Sequence, residues 1–249
     1  QAQLNGENKT FEQLADGAYL GVLRMDVDGL GAIFIKGLPD DAKSFAAYST
    51  LSFMLDYFFS GYLNTIRNSD QFKDDVNILY SGGDDVFAVG KWDKLIDFAE
   101  AVRKDFARFV GREDISISAG IIFVGDKYPI AKAAQLAGDA EDKAKAFVLN
   151  NGRTKNAITI FGESLSWDKE FDFVKEYKDR FVHLVEEYHM PRSILHRLMC
   201  LCSRMKEGEV DYIWHTVYFI QRFSSGKDEK IADFCKKLQV LLCDRRKYE

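Results

Sequence analysis

This sequence has little proline, no long apolar stretch and no excess of positive charge. Only 3 of the 249 residues are proline, whereas 47% are hydrophobic, which is typical of a folded chain and not of a disordered one. No stretch approaches 18 uninterrupted apolar residues, and residues 1–9 are too polar for a signal peptide. A formal net charge of -5 excludes a surface that is basic all over and binds nucleic acid throughout. The sequence therefore predicts a folded protein without a membrane span.

Cysteine and histidine are also scarce. The four cysteines all lie in the C-terminal third and form no Cys-x-x-Cys pair: Cys200, Cys202, Cys235 and Cys243. So few cysteines in a chain of this length favour reduced thiols and a cytoplasmic location, and they argue against a zinc site. The four histidines have spacings of six, seven and nineteen residues, which place no pair one helical turn apart. We therefore interpret them as packing or surface residues.

The first two thirds of the chain alternate between strand and helix patterns. Short apolar runs predict strands at 20–26, 76–80, 86–89, 115–124 and 157–161. Apolar residues at steps of three or four predict helices over 42–66, 92–109 and 131–149. The order β-α-β-β-α-β-α-β predicts an α+β fold, a ferredoxin-like palm with an added helix and strand. We expect an antiparallel sheet with its helices on one face.

The last third has helical periodicity and no convincing strand. It predicts helices over 169–188, 191–206, 210–223 and 228–242. With the boundary near residues 162–164, the chain divides into a palm of residues 1–165 and an all-α domain of residues 166–249. Aromatic residues at helical spacing in that domain are interpreted as core: Tyr212, Trp214, Tyr218 and Phe219. Its arginines and the terminal residues 245–247 are interpreted as a solvated face.

Two acidic pairs follow strands that such a sheet places side by side. Asp26 and Asp28 end the first strand, and Asp84 and Asp85 form the tip of a hairpin whose loop reads Ser-Gly-Gly-Asp-Asp. The first strand of this fold is central and pairs with the hairpin, so the acids converge although 58 residues separate Asp26 from Asp84. A lone Gly-Gly-Asp-Asp is typical of an ordinary turn. Both pairs in this order, with a long helix between them, favour a metal site.

Carboxylates gathered at one edge would raise one another's pKa values unless cations lay between them. Mg²⁺ or Mn²⁺ suits the place, since such ions bind one or two carboxylates plus substrate phosphates, and a pair of them stabilises an in-line displacement. Gly82 and Gly83 let a base or phosphate approach the backbone closely. A turn would offer backbone N–H groups to a triphosphate: Asp28, Gly29, Leu30 and Gly31. The sequence thus predicts a site for a metal-bound nucleotide.

Several motifs occur in one order: MDVDGLG, LYSGGDDVFAVG, SISAGI, AEDKAKAF and KNAITIFG. Together they resemble the second palm of the large subunit of type III CRISPR effector complexes, best the III-A or Csm branch. The resemblance continues into a helical domain like residues 167–249, and a more distant likeness is to GGDEF diguanylate cyclases. The family's HD nuclease domain, first palm and zinc-binding linker have no counterpart here. DNA cleavage is therefore not expected of this chain, and synthesis is expected to be incomplete without the first palm.

The resemblance implies an activity and roles for particular residues. In that family the palm joins ATP into cyclic oligoadenylates while the complex holds a target RNA. By position, Asp26 and the backbone carbonyl of Val27 would hold metal. Asp84 would be the ligand shared by two ions, and Asp85 would assist metal binding or activate the 3′-hydroxyl.

Further contacts and partners are implied in the same way. Ser81, Gly82 and Gly83 would lie near the base and ribose. Lys145 falls where cyclases place a phosphate-binding lysine, although a single helical lysine is usually a solvated charge. The implied partners are ATP, the other subunits of a III-A complex and, through that complex, guide RNA and target RNA.

Two alternatives to this enzyme stay open. The first is an assembly module with a weak nucleotide site, and the intact pair Asp84 and Asp85 favours the enzyme over it. A diguanylate cyclase is the third interpretation. Against it, Asp85 stands where those enzymes have Glu followed by Phe, and residues 70–77 lack their RxxD inhibitory motif. Adenine is therefore favoured over guanine.

Overall fold

The computed structural model describes residues 3–243 except 5–6, 18, 38–40, 42, 150–151, 153 and 210. The chain divides into two compact units, Gln1–Asp172 and Phe173–Glu249. Each unit is built around its own apolar clusters.

The first unit alternates strands with helices. Its elements are β1 (Gln3–Leu4), β2 (Glu7–Asn8), α1 (Phe11–Ala15), β3 (Leu20–Val27), α2 (Leu30–Lys36), α3 (Phe45–Asp56), α4 (Leu63–Arg67), β4 (Val76–Gly82), β5 (Asp85–Lys91), α5 (Trp92–Val110), β6 (Ile117–Val124), α6 (Ile130–Ala146), β7 (Ala157–Ile160) and β8 (Glu163–Ser166). One π-helical segment, Tyr57–Tyr62, joins α3 to α4. A second, Trp167–Phe171, follows β8.

One six-stranded sheet carries the candidate site, in the order β4-β5-β3-β6-β7-β8. The pairs are antiparallel except β6 with β7, which is parallel. The central strand β3 therefore has β5 on one side and β6 on the other. The predicted α+β palm is confirmed, whereas the expectation of a purely antiparallel sheet is wrong.

Helices cover both faces of this sheet. Leu23 of β3 packs in the apolar cluster that contains Leu95 of α5. The adjacent Val22 points to the other face and packs in the cluster that contains Ala137 of α6. Both side chains are fully buried, and a strand that is apolar on both sides needs cover on both sides. The expectation that the helices share one face is therefore wrong.

The helix predicted over residues 42–66 is interrupted. It begins at Phe45, where Ser44 accepts a hydrogen bond from the Ala47 N–H at 3.2 Å, and its start at residue 42 lies outside the described residues. The π-helical segment then replaces about one and a half turns of α-helix. Its wider turn lets the consecutive residues Phe58 and Phe59 both reach the core, where both are fully buried.

The sequence did not reveal β8, which pairs with β7. Directly after it, the Trp167 indole N–H donates to the Ile117 carbonyl at 3.0 Å, and Phe171 is buried in the palm core. The first unit consequently extends to residue 172, past the predicted boundary at 165. The short helices α1 and α2 were not predicted either, because five to seven residues carry too little periodicity.

The second unit is helical, as predicted. It comprises α7 (Asp172–Glu187), α8 (Ser193–Lys206), α9 (Tyr212–Ser224) and α10 (Glu229–Cys243). The core interpretation holds for Tyr212 but is wrong for Trp214 and Tyr218, which are 76% and 64% exposed. The four cysteines are free, and residues 245–247 lie outside the described part of the chain. Among the described helices, none has the length and apolarity needed to cross a membrane.

Candidate active site

The acidic residues of the two motifs meet where β3 ends and β5 begins. Asp26 lies directly opposite Asp85 in the antiparallel ladder. The Val27 N–H donates to the Asp84 carbonyl at 3.1 Å, which fixes the hairpin tip against the end of β3. Gly83 takes a φ of 66°, a backbone conformation suited to the first position of a two-residue hairpin turn. The turn therefore presents Asp84 at the edge where β3 delivers Asp26.

The electrostatics of Asp84 show that these carboxylates face one another. Burial raises the pKa of Asp84, and the charge of Asp26, a hydrogen bond with Asp26 and the charge of Asp85 raise it further. Two carboxylates this close favour sharing a proton or a cation. The convergence expected from the sequence is therefore present for Asp26 and Asp84.

Two basic side chains neutralise part of the cluster. Lys145 of α6 is ion-paired with Asp26 and also lies 2.7 Å from Glu141 on its own helix. Arg24 of β3 binds Asp85 at 3.1 Å and Glu141 at 3.6 Å. An unbroken chain of contacts thus links the strand acids to α6.

The balance of charge in this network is negative. Four carboxylates, those of Asp26, Asp84, Asp85 and Glu141, face the two cations Arg24 and Lys145, which leaves a formal charge of about -2. Burial raises the pKa of Glu141, against the opposing effect of Lys145 and Arg24. Burial alone would lower the pKa of Lys145, but its two acidic partners outweigh burial and raise it. The remaining negative charge favours binding of a cation at this site.

These residues fit a divalent ion that is shared with a ligand. Within the described ranges, no group of three or more Asp, Glu, His or Cys side chains is arranged to hold a metal ion. Oδ1 of Asp85 is nevertheless buried without a hydrogen-bond partner. Mg²⁺ commonly takes one or two protein carboxylates and completes its shell with water and substrate phosphates. The donor set suits that arrangement and not a closed protein cage.

Asp28 does not belong to the open part of the site. It is only 5% exposed, and its carboxylate accepts hydrogen bonds from the Ser116 and Ser118 hydroxyls at 2.6 and 2.7 Å and from the Asn156 N–H at 3.0 Å. Its own N–H, expected to face a triphosphate, donates to the Ser116 carbonyl at 2.8 Å. Asp28 therefore ties β3 to β6 and to the segment before β7, and its predicted nucleotide contact is wrong.

The other predicted nucleotide-binding glycines, with Ser81 and Leu30, lie at the hairpin tip and in the turn that follows β3. Ser81 and Gly82 end β4, and the Tyr80 hydroxyl lies 3.6 Å from the point where a Cβ would stand on Gly82. Gly29 precedes α2, and Leu30 and Gly31 form its first turn, where backbone N–H groups lack helical partners. The hairpin and this turn thus border the same edge.

Sequence reasoning missed Arg24, Glu141 and Lys155. Arg24 is an ordinary charged residue of a strand, and no local pattern marks it. Glu141 stands in the motif AEDKAKAF, but its spacing does not show that it faces the strand acids. Lys155 is the first residue of the motif KNAITIFG, but the motif does not show which way its side chain points. Its ammonium nitrogen lies 3.5 Å from the point where a Cβ would stand on Gly29.

A cavity of about 910 Å³ lies elsewhere in the first unit. Its walls include Arg103 of α5, Arg112 just after that helix and Asp168 of the second π-helical segment. Asp26, Asp84 and Asp85 do not line it. The acidic cluster is therefore an open sheet edge and not a closed pocket.

A central β3 flanked by a β4–β5 hairpin, with acids at the strand end and the hairpin tip, defines a palm domain of the nucleotidyl-cyclase kind. The family described as Cas10/Cmr2, second palm domain, matches residues 19–159, and the chain belongs to that family. The resemblance found in the sequence motifs is confirmed.

Two of the curated relatives are Cas10/Csm1 proteins of subtype III-A. The chain is 37% identical over 186 residues to the single-strand-specific deoxyribonuclease Cas10/Csm1 of Methanocaldococcus jannaschii, covering 66% of this chain and 23% of that protein. It is 32% identical over 243 residues to the protein of that name from Mycobacterium tuberculosis, covering 89% of this chain and 29% of that protein. The chain thus spans less than a third of these relatives.

Solved structures of the Csm1–Csm4 cassette share the fold. The cassette in complex with one ATP superposes with a TM-score of 0.73 at 22% identity, covering 97% of this chain and 39% of that chain. The cassette in complex with cA4 gives a TM-score of 0.71 at 21% identity, covering 98% and 40%.

Proposed function

We propose that this chain is the palm of a metal-dependent nucleotidyltransferase that joins ATP into cyclic oligoadenylates within a type III CRISPR effector complex. One observation carries the proposal: the carboxylates of Asp26 and Asp84 face each other at an open sheet edge and raise the pKa of Asp84. Two facing carboxylates repel each other when no cation lies between them. A divalent cation held by both can also stabilise the oxygens of a phosphoryl-transfer reaction. The fold neighbours support the choice of nucleotide, since one cassette holds ATP and another holds cA4.

The reaction is an in-line displacement. The 3′-hydroxyl oxygen of one ATP bonds to the α-phosphorus of the next, the bond to the bridging oxygen breaks, pyrophosphate leaves and the hydroxyl proton passes to solvent or base. A bound divalent cation supplies charge neutralisation for the attacking and leaving oxygens. Ring closure repeats the same displacement within one oligomer.

The chain's own residues position and balance charge. Asp26, Asp84 and the Val27 carbonyl would hold the cation, and Oδ1 of Asp85, which has no hydrogen-bond partner among the described residues, would accept a hydrogen bond from the 3′-hydroxyl. Ser81 to Gly83 leave the hairpin backbone open to base and ribose. Catalysis rests on positioning and not on a covalent intermediate.

Assembly follows from the same relatives. One neighbour is the Csm1–Csm4 subcomplex in the type III-A interference complex. We propose that this chain works in the cytoplasm beside such subunits, with guide and target RNA bound by the complex. The chain matches under a third of the curated deoxyribonucleases, so their named activity is not assigned to it.

Product analysis tests the proposal. The chain, alone and reconstituted with its complex and target RNA, is incubated with ATP or GTP and Mg²⁺ or Mn²⁺, beside the variant Asp84→Ala/Asp85→Ala. Adenylate oligomers that the variant fails to make support the proposal. Products from GTP alone would identify a diguanylate cyclase.

An assembly module with a weak nucleotide site is the second candidate. The absence of a three-acid metal group among the described residues, and the pairing of Asp26 by Lys145, favour it. For an assembly module, the complex should assemble equally well with wild type and with Asp84→Ala/Asp85→Ala. Neither protein should then bind ATP or make product.

A further inference from the structure

The outer face of α9 carries two large aromatic rings. Trp214 and Tyr218 lie one helical turn apart and are 76% and 64% exposed. The opposite face of the helix is buried through Tyr212, Thr216 and Ile220. Helical spacing predicted that both rings belong to the core, so their exposure leaves them open to a partner.

Guanidinium groups lie beside these rings. Arg222 follows Tyr218 by one turn, and its Nη1 donates to the Tyr218 hydroxyl at 3.4 Å. From α8, Arg197 lies over the ring of Phe219, with its central carbon 5.8 Å from the ring centroid. Arg197 thereby reaches the residue next to Tyr218. We call Trp214, Tyr218 and Arg222 the α9 stripe.

The helix pair that carries the α9 stripe is basic, although the whole chain is acidic. Residues 191–227 contain six Lys or Arg and three Asp or Glu, a formal charge of +3, whereas the chain carries -5. Arg204 binds two of those acids, Glu209 at 2.6 Å and Asp211 at 2.8 Å. A local positive charge of this kind suits a polyanion, which the composition of the whole chain excluded only as a ligand of the entire surface.

The surroundings of the rings favour nucleic acid over a protein partner. On α9 the exposed large apolar side chains are Trp214 and Tyr218. The exposed residues His215 and Gln221 lie beside them. An amphipathic helix that docks in a protein groove presents a continuous apolar face, whereas this side of α9 alternates rings with polar residues. Flat rings with cations beside them are a common platform for unpaired bases.

We infer that the α9 stripe binds single-stranded RNA by stacking bases on Trp214 and Tyr218. Arg222 and Arg197 then contact the phosphates. A rise of 1.5 Å per residue sets the two ring positions about 6 Å apart along the helix, so each ring can take a different base. Every base has a flat face, and the stripe should therefore tolerate many sequences. The choice of RNA as the strand rests on the proposed function, in which the complex holds guide and target RNA, but the stripe uses no residue of the metal site.

Fluorescence anisotropy of labelled RNA tests the stripe. The strand is an oligouridylate of about 15 nucleotides, which does not pair with itself and is not the proposed adenylate product. Removing both rings in Trp214→Ala/Tyr218→Ala should weaken binding by the full chain at least about tenfold, since each stacked base contributes to affinity. Arg222→Gln should reduce the slope of log Kd against log salt by about 0.7, the value expected for one lost phosphate contact of a single strand.

Two substitutions control for a general loss of apolar surface. Met199→Ala removes a side chain of α8 that is 69% exposed, and it should bind oligouridylate as wild type does. Trp214→Phe keeps a stacking ring and should stay within about threefold of wild-type affinity. Because the substituted side chains are exposed, the melting temperatures of these variants should stay close to that of wild type.

Tryptophan emission reports stacking directly. The chain has three tryptophans, and Trp167 is 2% exposed in the palm core. In a Trp92→Phe background, the emission that RNA can quench therefore comes from Trp214. Stacking predicts that oligouridylate quenches this emission with the same Kd as the anisotropy change. Emission that stays constant while RNA binds would overturn the inference.

Four further results would also overturn it. They are no binding of oligouridylate by wild type, unchanged affinity in Trp214→Ala/Tyr218→Ala, equal affinity for an RNA duplex of the same length, and tighter binding of oligodeoxyuridylate. A double variant that binds RNA normally but no longer assembles with the other subunits would instead assign the stripe to a protein partner. Synthesis of adenylate oligomers, compared between wild type and Asp84→Ala/Asp85→Ala, reports on the proposed function separately.

Discussion

Lys145 is ion-paired with Asp26 although 119 residues separate them in the chain. The contact crosses from α6 to the end of β3 and puts an ammonium group where a metal ion would bind the same carboxylate. Glu141 holds the lysine from the other side at 2.7 Å. Lys145 therefore neutralises the carboxylate that the proposed cation would bind.

Removing the charge of Lys145 is expected to strengthen metal binding in the absence of nucleotide. Without the ammonium, Asp26 is free for the ion and the formal charge of the cluster falls from about -2 to about -3. We predict that Lys145→Met binds Mn²⁺ about three to ten times more tightly than wild type, measured by electron paramagnetic resonance.

The matched control is Lys143→Met, which changes an exposed lysine of the same helix. It should bind Mn²⁺ as wild type does. Weaker binding in Lys145→Met than in this control would show that Lys145 supports the metal site instead of competing with it.

Asp84 is expected to lower stability at neutral pH. Burial, Asp26 and Asp85 raise its pKa above the ordinary value of 3.8, so its ionised form is less favourable in the folded chain than in the unfolded one. The stability associated with its proton is fully present below 3.8 and is lost as pH rises through the raised pKa. At pH 7 without metal, Asp84→Asn should melt about 1–2 °C higher than wild type.

The difference should vanish when both proteins are melted below the ordinary pKa of aspartate. It should reverse at pH 7 with saturating Mg²⁺, because only wild type gains stability from the ion. An Asp84→Asn variant that melts lower than wild type at pH 7 without metal would contradict the electrostatic account.

Asp26 and Asp28 are expected to have opposite roles despite standing two residues apart. Asp28→Ala leaves two serine hydroxyls and the Asn156 N–H without their acceptor, which costs about 2–3 kcal/mol of unfolding free energy. Asp26→Ala removes a carboxylate that repels Asp84, so urea unfolding should change little. Metal-dependent ATP binding should nevertheless fail in Asp26→Ala. Equal losses of unfolding free energy in Asp26→Ala and Asp28→Ala would contradict these separate roles.

Local pattern predicted the elements better than their arrangement. Strand β3 and helix α5 carry a strong period over 8 and 19 residues, and both were found within two residues of their ends. The position of α6 on the opposite face from α5 was missed, since a helix pattern shows which side is apolar and not which face of a sheet it covers. The apolar residues on both faces of β3 indicate cover on both sides, which the burial of Val22 and Leu23 shows.

The site divides in the same way. The meeting of Asp26 with Asp84 followed from strand order, because ladder register brings their positions together. The partners Arg24, Glu141 and Lys155 depend on how α6 and the segment before β7 pack, which no spacing rule encodes. Asp28 was misassigned because its sequence neighbourhood looks like an open turn, whereas Ser116 and Ser118 arrive from a strand 88 and 90 residues away.

Gly120 is expected to control how closely α6 approaches the site. A Cβ at this residue of β6 would lie 2.2 Å from the Glu141 nitrogen and 2.4 Å from the Ala137 carbonyl oxygen, and helix backbone cannot yield as a side chain can. Gly120→Ala should therefore lower unfolding free energy by about 3 kcal/mol and the melting temperature by roughly 6–12 °C. Gly125→Ala is the control, since a Cβ there meets nothing within 4 Å. Because α6 carries Glu141 and Lys145, the folded Gly120→Ala protein should also resemble Lys145→Met in Mn²⁺ titrations. An unchanged melting temperature would show that α6 does not pack against β6 as described.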